Sequence, residues 1–209
     1  MRSRGNRPVD SSIPIERAFD ELRFGAARTL NLRDGLPTVS QAETRVEAWL
    51  RRQQADGAGD VLVITGRGVR SLDGVGKVRE AVLRRCTRLK RLNVVTSVCE
   101  HGPGALVVTV APLRALVDAP RLRTGRTMTV PITDPAELAA LPDDVRRMLR
   151  EIATQTILRL GVSAPSDEMI SDEMRTQFGV IAPTVVHDPD QIEALRRVGA
   201  RLLRELLEE

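Results

Sequence analysis

The stretch VLVITGRGVRSLDGVGKVREAV, from Val61 to Val82, constrains the fold more than any other in the chain. Four consecutive apolar residues, Val61 to Ile64, match a strand buried on both faces. Glycines follow at 66, 68, 74 and 76, and then apolar residues recur at helical spacing. A strand that turns through glycines into a helix points the helix N-terminus at the strand's end, where an anion is favoured. Arg67, Arg70 and Lys77 lie in or beside that turn. Two nucleotide patterns are excluded. Gly76-Lys77 meets part of a P-loop, but Ser71 stands at its first glycine and Val78 replaces the hydroxyl that would hold magnesium. A dinucleotide fingerprint beginning at Gly66 and Gly68 needs its third glycine where Ser71 stands.

Around this stretch the chain alternates strand and helix. Residues 1–12 are polar and carry Gly5 and Pro8, so disorder is expected there. Residues 13–28 hold a short helix packing on the core, with Pro14 in its first turn and Ile15, Ala18, Phe19 and Leu22 as its apolar stripe. RTLNLR (28–33) alternates, with Leu30 and Leu32 on one face and Asn31 and Arg33 on the other. Thr38 and Gln41 form a capping box for a helix carrying Val39, Ala42, Val46, Trp49 and Leu50. A second helix runs from about Val75 to Leu89 and buries Val75, Val78, Val82 and Cys86. NVVTSVCE and ALVVTVA pair around the turn HGPG, residues 101–104. The order is β-α-β-α-β-β.

Taken together, residues 29–113 resemble the Smr (small MutS-related) domain. The family's Leu-Asp-x-His motif is read here as LNLR (30–33), and its His-Gly-x-Gly or Thr-Gly-x-Gly turn as TGRG (65–68). The resemblance implies an α/β fold, a two-layer domain with a mixed sheet. It also implies nucleic-acid binding, with endonuclease activity in some members. In such a nuclease the Asp and His supply a base, a metal ligand or both. Here those positions hold Asn31 and Arg33. Asn is neither a general base nor an anionic magnesium ligand, and Arg stays protonated. Thr65 is no proton shuttle, and His101 and His187 fall on a turn and a distant loop. No catalytic residue, metal ligand or cofactor is therefore expected; Mg2+ enters only under a rebuilt endonuclease, the enzyme alternative.

What survives is an anion-binding surface. Its expected members are Arg33, Thr65, Gly66, Arg67, Gly68, Arg70, Lys77, Arg84 and Arg88. Lys77, Arg84, Arg88 and Arg91 share one helical stripe at +7, +4 and +3. Charge agrees with this placement. Residues 30–113 hold 13 basic and 8 acidic residues, a net +5, against 13 and 16, a net −3, for 114–209. Aromatic residues make up only 2% of the chain, with no Tyr, so base stacking on an aromatic platform is not expected. Trp49 and the Phe residues read as core. Phosphate-led binding of RNA or another structured nucleic acid, free or on the ribosome, is the expectation. The alternative for the glycine turn is a purely structural connection, and for the Arg stripe a solvated face.

Residues 114–133 read as a linker and 134–209 as an α-helical C-terminal module, a candidate surface for a protein partner or self-association. One helix follows Pro142 with the stripe Val145, Met148, Leu149, Ile152, Thr156 and Leu160, and Gly161 stops it. SDEMISDEMRTQFG is a short acidic helix. Asp188, Pro189 and Gln191 open a last helix carrying Ile192, Leu195, Val198, Leu202 and Leu206. No apolar run is long enough for a membrane span and the N-terminus lacks a signal-peptide pattern, so a cytoplasmic location is expected. Cys86 and Cys99 are too few for a disulfide framework. With His101, Cys99 reads as a core thiol beside a turn, not as half of a metal site.

Overall fold

The computed structural model describes residues 20, 22–66, 76–102, 104–117 and 135–208. Four strands, β1 (Thr29–Asn31), β2 (Asp60–Ile64), β3 (Val95–His101) and β4 (Ala105–Val110), form one sheet in the order β1-β2-β4-β3. β1 and β2 are parallel, and β4 runs antiparallel to both its neighbours, so the sheet is mixed as expected. Helix α1 (Val39–Asp56) connects β1 to β2, and α2 (Lys77–Arg91) precedes β3.

Both helices pack on one face of the sheet. Val61 and Val63 of β2 meet Leu106, Val108 and Val110 of β4 in the core that Ala42, Val46 and Leu50 of α1 and Val82, Cys86 and Leu89 of α2 complete. Alternation turns Leu62 to the opposite face, where it is also buried. That face receives the N-terminal segment. Phe24 is buried, Arg23 pairs with Asp60 at 3.2 Å, and Gln53 Nε2 donates to the Ala27 carbonyl at 3.1 Å. The anchor is thus Phe24, whereas Leu22 of the expected stripe is 83% exposed. Residues 22–24 are helical and 26–28 form a 3-10 turn. The expected disorder of 1–12, and Ile15, Ala18 and Phe19, lie outside the described residues.

The Thr38 capping box is present. The Gln41 N–H donates to the Thr38 hydroxyl, and Gln41 Oε1 accepts from the Thr38 N–H at 2.9 Å. Val39 is exposed, and Trp49 is only partly buried against the core. α2 buries Ala81, Val82, Cys86 and Leu89, with Val78 only partly covered; Val75 is outside the described residues. Cys99 is exposed on the edge strand β3, which corrects its reading as a core thiol.

The C-terminal part contributes α3 (Pro135–Ala139), α4 (Asp143–Arg159), α5 (Asp167–Val185) and α6 (Gln191–Leu207). The acidic helix is longer than expected: α5 runs on through Gly179 and Pro183. A proline ring strains against the carbonyl four residues earlier, and here that residue is Gly179, which has no side chain to resist the bend. The last helix is capped by Asp190, whose side chain accepts from the Glu193 N–H at 3.0 Å; Asp188 instead accepts from the Asp190 N–H and pairs with Arg197. Leu160, expected in the α4 stripe, is 68% exposed because the helix ends at Arg159 and Gly161 turns with φ +90. Val145, Leu149 and Ile152 of α4 and Leu195, Val198 and Leu202 of α6 belong to the same core cluster as the sheet and α1. No helix among the described residues is long and apolar enough to cross a membrane.

Candidate functional site

β1 ends sooner than its alternation suggests, and the reason lies in Asn31. The Leu32 N–H still donates to the Ile64 carbonyl at 2.9 Å, but Asn31 Oδ1 then accepts the Arg33 N–H at 3.0 Å. This is an Asx turn, and it takes Arg33 off the strand. Asn31 and Arg33 are therefore not two residues projecting from one extended face. Asp and Asn both make such turns. Asn31 therefore suits the local geometry while carrying no charge.

Arg33 is exposed, and its aliphatic stem lies along Gly66. A Cβ on Gly66 would stand 3.4 Å from Arg33 Cγ and 3.6 Å from Cδ. Gly66 also has φ +82, a conformation that favours glycine. The first turn glycine thus serves the backbone path, with the Arg33 stem in ordinary van der Waals contact beside it.

Thr65 and Gly66 face inward. Both N–H groups donate to the Gly104 carbonyl at 2.9 Å, and the buried Thr65 hydroxyl lies 3.3 Å from the same oxygen. These contacts tie the end of β2 to the β3–β4 turn, so neither N–H is free for an anion. Arg67, Gly68 and Arg70 lie outside the described residues. The phosphate cradle expected at the glycine turn thus gives its first two donors to the Gly104 carbonyl. The glycine spacing of HGPG was the available signal.

The topology brings several elements to this end of the sheet. Asn31 pairs with Ile64, Ile64 with Ala105, and Ala105 with His101, one row across all four strands. α1 follows β1 at this edge, and α2 begins near it, where Arg79 of its first turn pairs with Glu100 of β3. His101 Nε2 is 2.6 Å from Asp20 Oδ1, and the Phe24 ring meets the His101 ring edge-on with centroids 6.4 Å apart. His101 thus holds the N-terminal segment.

From Lys77, α2 carries the basic stripe away from the edge. Lys77, Arg84, Arg88 and Arg91 are all exposed. At 1.5 Å per residue, Lys77 to Arg91 spans roughly 21 Å. Lys77, Arg88, Lys90, Arg91 and Arg33 form no ion pair with a described residue. Arg84 pairs with Glu80 at 2.7 Å, but both side chains are largely in solvent, so a phosphate can displace the carboxylate at small cost. The other arginines of α2 do different work. Arg79 pairs with Glu100 of β3, and Arg85 with Glu47 (2.8 Å) and Glu43 (3.8 Å) of α1.

Burial pushes the Cys86 thiol up to about 11 and leaves it a core residue. Among the described residues, no group of three or more His, Cys, Asp or Glu side chains could hold a metal ion. The described chemistry is thus cationic and donor-rich.

Residues 30–111 match the family model described as the Smr domain. No curated protein and no solved structure matches the chain.

Proposed function

Since the chain carries an Smr domain over residues 30–111, a family with nucleic-acid binding and some endonuclease members, we propose that it binds nucleic acid through phosphate contacts without cleaving it. RNA is the preferred class. The observation that carries this reading is the placement of exposed cations with no carboxylate partner among the described residues. Arg33 lies against Gly66 at the strand edge, and Lys77, Arg88 and Arg91 follow along one face of α2. Such a track neutralises a phosphate backbone and releases counterions, whereas base-specific readout has few groups to use. Arg67 and Arg70 belong to the proposed contact set by their place in the sequence alone. Thr65 and Gly66 support the turn and do not contact phosphate.

Absence of cleavage follows from the chemistry of the motif positions. Asn31 accepts the Arg33 N–H in the Asx turn and has no charge to offer a metal, and Arg33 cannot accept a proton. The apolar stripes of α4 and α6 are used up in the core shared with α1, so we assign the C-terminal helices a supporting role instead of partner docking. A cytoplasmic, RNA-associated protein, free or on the ribosome, is the setting this implies.

The triple variant Arg33→Ala, Lys77→Ala, Arg88→Ala tests the proposal. We expect salt-sensitive binding to a structured RNA to fall by about tenfold or more, because each lost phosphate contact removes counterion release. Unchanged binding would overturn the assignment. Magnesium-dependent cleavage that persists after Asn31 and Arg33 are both replaced by Ala would favour the endonuclease reading with a site elsewhere.

A further inference from the structure

The longer open edge of the sheet is β3, last in the strand order. Its backbone phase follows from the other side of β4. The Thr65 N–H donates to the Gly104 carbonyl and the Val110 N–H to the Gly59 carbonyl, so Gly104, Leu106, Val108 and Val110 direct their backbone groups at β2. Ala105, Val107 and Thr109 then bond β3 at His101, Cys99 and Ser97. The N–H and C=O groups of Val98 and Glu100 therefore point away from the sheet, and among the described residues no backbone group bonds them. Such an edge is a template for a further strand, and natural sheets blunt it with Lys, Pro or a bulge. Here the bulge lies before Ser97, and from Ser97 to His101 the edge holds neither Lys nor Pro.

We infer that β3 is the interaction edge for a second copy of this chain, joined antiparallel about a two-fold axis at Cys99. The residues of the edge select that register. With the axis at Cys99, Val98 of one protomer lies opposite Glu100 of its partner, and these are the residues whose backbone groups are open, so each pair exchanges both bonds. An axis at Val98 would need Thr96, which lies in the bulge. An axis at Glu100 would set two carboxylates directly opposite each other. Cys99 avoids both. Its exposed side chain then meets its own copy in a non-hydrogen-bonded pair, with Cα atoms about 4.5 Å apart. Arg79, paired with Glu100, and Leu83 one turn later mark the side of α2 nearest β3. Those sides would meet across the axis and cover Leu83, which one copy buries only in part. The joined sheet would carry both α2 helices on one face, with their exposed cations side by side.

The test measures the mass of the full chain by sedimentation equilibrium, under reducing conditions and at low salt, across a concentration series. The mass is expected to rise from 23.0 kDa toward twice that value. Cys99→Lys sets two like charges side by side at the axis, from a position that is exposed in the single copy. It is expected to keep the circular dichroism of wild type and to stay at 23.0 kDa. Mild oxidation with diamide reads the register. Wild type is expected to cross-link through Cys99, since the pair lies within the Cα range of about 4.4–6.8 Å that a disulfide spans. Ser97→Cys in a Cys99→Ser background separates the two thiols by about 13 Å along the strands and should not cross-link. A wild type that stays at 23.0 kDa throughout would overturn the inference and leave the edge to another protein's strand. A dimer that survives Cys99→Lys, or equal cross-linking from positions 97 and 99, would put the contact elsewhere and overturn it as well.

Discussion

Gly66 shows how much one residue decides at this site. Its positive φ lets the chain turn out of β2 while its N–H donates to the Gly104 carbonyl, and the Arg33 stem packs beside it. Gly66→Ala is expected to cost about 1–2 kcal/mol, the usual penalty of a left-handed backbone for a residue with a Cβ, measurable by urea denaturation. A stability unchanged by Ala would mean that the turn is not held in this conformation. Cys86 offers a second check. Its thiol is raised from 9.0 to about 11 by burial, so the folded protein keeps the proton longer than the unfolded chain. This contribution is constant below pH 9 and is lost as pH rises from 9 toward 11. Over that window it amounts to about 2–3 kcal/mol at most. Cys86→Ala should flatten the alkaline decline relative to wild type. At neutral pH the exposed Cys99 should react with a thiol reagent while Cys86 stays protected until unfolding.

At the scale of elements, the joint between α1 and α6 is specific. α1 ends at Gly57 with φ +66, and the Gly57 N–H donates to carbonyls of its last turn. The Arg201 guanidinium lies directly over that glycine, where a Cβ would fall 1.7 Å from Nη2, and Arg201 Nη1 donates to the Asp56 carbonyl at 2.7 Å. A cation at a helix C-terminus is favourable in itself. Gly57→Ala should therefore destabilise twice, through its backbone and through displacement of Arg201. In an Arg201→Ala background only the backbone part, about 1 kcal/mol, should remain. Full additivity of the two changes would contradict the contact. At the other end of α6, Arg196 holds the Asp144 carboxylate of α4 below its usual range, chiefly by a direct hydrogen bond at 2.6 Å.

Local rules read well wherever local chemistry decided the outcome. The capping box at Thr38, the apolar run of β2 and the cation spacing of α2 were visible in sequence because each depends on neighbours a few residues away. The failures share one cause. Asn31 ended a strand through a side-chain bond, Gly104 supplied an acceptor from a turn 39 residues on, and Phe24 outcompeted Leu22 for a place under the sheet. Each was settled by a partner that periodicity does not show. The acidic helix passes its expected end at Gly179 for a related reason, since Ile181 and Thr184 beyond that glycine are buried.

For the whole molecule, the charge division and the shared core point the same way. The net positive charge lies in residues 30–113, and the mildly acidic C-terminal helices pack on the side of α1 through one continuous apolar cluster. The central claim is that this arrangement presents a phosphate-binding track without the groups for cleavage. Equilibrium binding of the full chain to a labelled structured RNA at two salt concentrations, with the RNA recovered and sized afterwards, tests it most directly. The account predicts affinity that falls by roughly 10- to 100-fold between 50 and 200 mM salt, for the few phosphates this track can reach, with the RNA intact. No binding at low salt, binding indifferent to salt, or shortened RNA would contradict it.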